Sequence, residues 1–165
     1  KDEYPRLVDA PVKALWVKTD KNITTVKIPS SESITGDKLT AFAPNTTGIL
    51  YNKGKELEMV KQVYDLGHLF DLSADMKEVK KSFHNIVAKE IAYRSLKVKS
   101  ENVLDDTIDT ARMNAMRDRN TQEPMLSRFR EIQDGLDQFK GYLVSENFRI
   151  DEAIESAAKA AYIAA

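Results

Sequence analysis

The stretch "EPMLSRFREIQDGLDQFKGYLV", residues 123–144, limits the fold of this chain more than any other. Met125, Phe129, Ile132, Leu136, Phe139 and Leu143 recur at alternating spacings of four and three. That rhythm winds one apolar seam along a helix, and such a seam must be buried against something. Pro124 stands at an early-helix position, where its missing N–H costs nothing. The seam packs within a helical bundle or against another chain. Gly135 and Gly141 argue against a free-standing coiled coil, since each costs about 1 kcal/mol relative to Ala in a helix interior.

Three further helices are expected around it. One runs over about 74–97, with Ser73 or Asp75 as N-cap and Met76, Val79, Phe83, Ile86 and Val87 as its stripe. The next runs over about 101–118 behind Ser100, with Leu104, Ile108, Ala111 and Ala115 on one face. The last runs over about 147–163, where small residues permit close approach by a neighbour. A short, weak helix is read at 61–70, ending near Gly67.

The chain changes character near residue 55. Four of the five prolines and three of the six glycines precede it. Candidate strands there are 12–18, 22–28, 38–43 and 48–52, with Val12, Ala14 and Trp16 on one face of the first. The "NKGK" stretch at 52–55 is a turn signal. The expected class is α+β: a small antiparallel β region, about 10–55, packed on a C-terminal helical bundle, about 60–165. As domains this gives a β-rich subdomain, 1–55, and a bundle, 56–165, or one continuous domain over both. The first residue is Lys and the final "AAYIAA" is still helical in character, so the chain is expected to be part of a longer protein.

Composition removes several classes of function. Without cysteine there is no disulfide scaffold, thiolate metal site or Cys nucleophile. Lys and Arg number 25 against 26 Asp and Glu, so no global charge draws the chain to a polyanion or an anionic membrane. No apolar run matches a membrane span and no signal-peptide pattern opens the chain, so a cytoplasmic location and no membrane partner are expected. No Walker loop, GxGxxG, HExxH or GxSxG occurs, and no cofactor is expected. His68 and Asp71 stand three apart but lack a nucleophile, and with His84 read as boundary residues.

"DDTID" at 105–109 raises the question of a metal. Asp105, Asp106 and Asp109 fall opposite the helix's apolar side, the arrangement of a solvated face, and Asp105 with Asp109 can reach one hard cation. A helical cation site needs further carboxylates from a facing helix. The preceding helix offers Glu78 and Glu90, twelve residues apart. Met113 and Met116 project among the aspartates, which suggests that something covers this face.

Charge is segregated along the chain. Residues 74–99 hold seven basic and three acidic side chains, whereas 100–120 hold three and five. Lys77, Lys80 and Lys81 share a face with His84, and Arg117, Arg119, Arg128 and Arg130 surround a loop. The leading expectation is a non-enzymatic interaction or assembly module that binds copies of itself or a protein partner through Met113, Met116, Phe129, Ile132, Leu136 and Phe139. The first alternative is a nucleic-acid-binding accessory protein using those lysines and arginines. The second is a Mg-dependent phosphohydrolase using Asp105, Asp106 and Asp109.

Overall fold

A computed structural model describes residues 4–13, 24–119, 121–144 and 147–165. They form a two-stranded antiparallel sheet and six α-helices, an α+β arrangement in which the helices dominate. Strand β1 (Leu7–Pro11) pairs with β2 (Thr25–Pro29), with Val8 opposite Ile28 and Ala10 opposite Val26. Those four side chains share one face of the ribbon. Val26 and Ile28 remain 43% and 39% exposed, so this face is largely open to solvent. The other face carries the Lys27–Asp9 ion pair, 3.2 Å long.

The strands begin and end elsewhere than the pattern suggests. The expected strand 12–18 falls mostly on residues outside those described, and the described pairing lies before it, at 7–11. Residues 38–43, expected as a strand, mostly belong to helix α1 (Ser31–Ala41). Ser30 caps that helix, its hydroxyl accepting from the Ser33 amide at 3.1 Å. The inward side of α1 is Ser33, Thr35, Gly36, Leu39 and Thr40, which no apolar periodicity reveals. Residues 48–52 are irregular as well, and Asn52 and Gly54 adopt positive φ in the expected turn.

The remaining helices follow the sequence more closely. They are α2 (Glu56–Leu72), α3 (Met76–Tyr93), α4 (Ser100–Met116), α5 (Met125–Phe139) and α6 (Ile150–Ala164). Asp75 caps α3 by accepting from the amides of Lys77 and Glu78. Helix α2 is longer than its pattern, running straight through Gly67, which lies against Ser156 of α6 with no room for a Cβ.

Packing explains two of the glycines. Helix α1 lies flat on α3, and a Cβ on Gly36 would stand 2.6 Å from the Phe83 nitrogen and the Val79 oxygen. The Ser82 hydroxyl donates across that contact to the Ser33 carbonyl at 2.6 Å. Gly135 likewise lets α5 close on the α2 backbone at Glu56. Helix α2 is the hub, touching α1, α5 and α6, while α6 also backs α4. One core cluster runs from Leu39, Phe42 and Tyr51 through α2 to Ile132, Leu136 and Ala157. Residues before and after position 55 therefore contribute to a shared interior.

Among the described residues, no helix is long and apolar enough to cross a membrane.

Candidate partner-binding groove on α4

The seam of α5 faces the chain's own interior. Phe129, Ile132, Leu136 and Phe139 are 3%, 0%, 4% and 4% exposed. Phe139 stacks edge-on against Tyr64 of α2 and Phe148 at 5.0 and 5.7 Å between ring centres. These four side chains were expected at a partner surface. The fold withdraws them, because α2 supplies the apolar face that the seam requires.

Helix α4 turns a different side inward from the one its apolar residues suggest. Val103, Asp106, Thr107, Thr110, Ala111, Met113 and Asn114 are buried, whereas Ala115 is exposed and Leu104 and Ile108 are half-buried. Hydrogen bonds to the irregular segment after α1 set this rotation. Asp106 accepts from the Asn45 amide at 2.7 Å, from Asn45 Nδ2 at 2.6 Å and from Thr46 Oγ1 at 2.9 Å. The Thr107 hydroxyl donates to the Phe42 carbonyl at 3.0 Å. Bonds of this kind to an ionised carboxylate are strong enough to outweigh the apolar preference of a single helix face.

The three aspartates therefore do different things. Asp106 is a buried clasp for residues 45–46. Asp105 and Asp109 are exposed, and Asp109 makes a loose 3.6 Å contact with Arg112. Among the described residues, no three His, Cys, Asp or Glu side chains come together as a metal cluster. Asp71, read beside His68, is held by Lys159 at 2.8 Å.

Between α4, residues 45–51 and the start of α5 lies an open groove of about 470 Å³. Met113, Met116 and Met125 supply its apolar lining, and Asp105 and Asp109 its exposed carboxylates. Met113 is nearly covered, while Met116 and Met125 are each 48% exposed. Tyr51 and Thr110 also line it, 8% and 3% exposed, and neither hydroxyl has a well-formed hydrogen bond. Arg128 stands 5.1 Å over the Tyr51 ring. Met113 and Met116 were legible from the sequence. Tyr51, Thr110, Met125 and Arg128 were not, since three separate segments bring them together.

Burial pushes the Tyr51 phenol up to about 12, against smaller lowering effects from the Thr110 hydroxyl and the Arg128 charge. The neutral phenol is the favoured form in the fold. Its contribution to stability is present in full below the ordinary value of 10 and is lost as pH rises through about 12. A rise of this size corresponds to about 3 kcal/mol. Denaturant unfolding from neutral pH upward should show that loss, and Tyr51→Phe should remove it. An unchanged alkaline profile in the variant would place the titration elsewhere.

The basic residues do not form one patch. Lys77, Lys80 and Lys81 are exposed on the first turns of α3 and make no ion pair among the described residues. Lys80 borders a second groove, shared with Leu104 and Tyr162. Arg117 stands thirteen residues further along the chain from Leu104, about 20 Å along the axis of α4, and pairs with Asp151. Arg119 and Arg130 are exposed, and Arg128 is engaged with Tyr51.

No family model matches this chain, and neither a curated protein nor a solved structure matches it.

Proposed function

We propose that the protein is a non-enzymatic interaction module, and that the α4 groove is the surface through which it binds copies of itself or another protein. One observation carries this reading. Two half-exposed methionines, Met116 and Met125, line an open groove beside exposed carboxylates, with buried hydroxyls deeper in. Methionine is flexible and polarisable, and such linings adapt to an incoming side chain. The exposed apolar face of the β ribbon adds a second surface that favours association.

The nucleic-acid reading has less support, because the lysines of α3 and the arginines after α4 are separated and acidic residues of α4 lie between them. The metal-dependent reading has none from geometry, because Asp106 is engaged with Asn45 and Thr46.

Light scattering over a range of concentrations tests the proposal. The apparent mass should rise above 18.7 kDa. Met116→Glu with Met125→Glu should return it to that value with the melting temperature unchanged, since both side chains are half-exposed. Association that survives the double substitution would show that the groove is not the contact.

A further inference from the structure

Charge separation between two helices says what the groove would take. The first ten residues of α4, Ser100–Asp109, hold four carboxylates and no base. Asp106 is committed to Asn45 and Thr46. Among the described residues, Asp105 makes no ion pair, and Asp109 has only the exposed contact with Arg112. Asp105 and Asp109 are one helical turn apart, so both can meet the same incoming cation.

The complementary surface lies on α3. Lys77, Lys80 and Lys81 stand at spacings of three and four, which places them on one face. All three are exposed, and among the described residues none has an ion-pair partner. Their acidic neighbour Glu78 is turned away, accepting hydrogen bonds from Ser30 and Ser33 of the α1 region. Within one chain Lys80 borders the groove of Leu104 and Tyr162, and none of the three lysines forms an ion pair with α4. Among the described residues, the three lysines and Asp105 have no ion-pair partner, while Asp109 meets Arg112.

We infer that the α4 groove of one copy receives the lysine face of α3 from a second copy. This rests on the reading of the groove as a protein-binding surface and names its occupant. Successive lysines of that face suit the two parts of the groove. The aliphatic stem of one lies along Met116 and Met125, and the ammonium of another, a turn away on α3, meets Asp105 and Asp109. The deeper hydroxyls of Tyr51 and Thr110, buried and without a well-formed hydrogen bond among the described residues, supply further acceptors. Arg112 and Arg128 also line the groove, Arg112 beside Asp109 and Arg128 over the Tyr51 ring, so Asp105 is the exposed carboxylate that an incoming ammonium meets most directly. The donor and acceptor surfaces differ. The contact is therefore head-to-tail, and it closes into a ring or extends as a chain of copies.

A charge exchange in trans tests this. One variant carries Asp105→Lys and Asp109→Lys, the other Lys77→Glu, Lys80→Glu and Lys81→Glu. All five side chains are exposed, so both variants should melt with the wild type. At low salt the wild type should show a mass that rises with concentration, falling toward one copy as salt screens the charges. Each variant alone should bind itself at least tenfold more weakly. A mixture should recover association, because the first variant keeps its lysine face and the second its acidic groove, and the lysine-bearing groove also meets the glutamate-bearing α3. Wild-type mass that stays at one copy overturns the inference, and so does a mixture no more associated than its parts. If association persists in both charge variants yet is lost in the Met116→Glu, Met125→Glu protein, the groove reading stands and this inference falls.

Discussion

Phe139→Ala should lower stability by about 4 kcal/mol, the ordinary cost of emptying a buried phenylalanine site. The side chain is 4% exposed and lies edge-on to both Tyr64 and Phe148. Losing these ring pairs adds roughly 1 kcal/mol to the transfer and cavity cost. The same three rings tie α5 to α2 and to the segment that leads into α6, so a hole there loosens two helix contacts together. For a chain of this size the melting temperature should fall by roughly 10 °C or more. A residue on a docking surface would behave differently, leaving the melt unchanged and weakening association. A Phe139→Ala protein that melts with the wild type would show that the seam is not part of the core.

Asp106→Ala should cost about 3 kcal/mol, because hydrogen bonds to an ionised carboxylate are worth more than neutral ones. Three donors lose their acceptor at once: the Asn45 amide, Asn45 Nδ2 and Thr46 Oγ1. Asp106→Asn should fall between, since it keeps one oxygen but turns an NH₂ group toward a donor. Hydrogen exchange should locate the damage. The amides of residues 45–48 should lose protection before those of α2, because the clasp fastens the turn and not the hub. Asn45 and Thr46 line the groove, so the same substitution should also weaken association. If stability and exchange both stay at wild-type levels, the clasp does not fasten the turn. Asp105→Ala makes a natural contrast, since that carboxylate is exposed and its removal should leave the melt unchanged.

The aspartates show why the site was only partly legible. On a helical projection Asp105, Asp106 and Asp109 lie together, opposite Leu104, Ile108, Ala111 and Ala115. In the fold, Asp106 goes inward and Ala115 outward. A projection ranks faces by hydrophobicity alone. It cannot register that a turn at 45–46, sixty residues away, offers three donors to one carboxylate. The same blindness hid α1. Apart from Leu39, its inner side of Ser33, Thr35, Gly36 and Thr40 is satisfied by hydrogen bonds and close contact with α3 rather than by apolar burial. Helices α3, α5 and α6 were legible because their buried faces are apolar and recur at helical spacing.

By itself the sequence determined the class, the existence of five of the helices, the turn at 52–55, and the presence of methionines among the acids of α4. Each of these rests on local spacing or backbone preference, which short stretches of chain carry intact. Tertiary structure alone decided which side of α4 faces inward, that the α5 seam closes on α2, and that Tyr51, Thr110, Met125 and Arg128 share one groove. Those outcomes depend on contacts between residues far apart in the chain, where a hydrogen-bond acceptor or an absent Cβ outweighs the preference of any single helix.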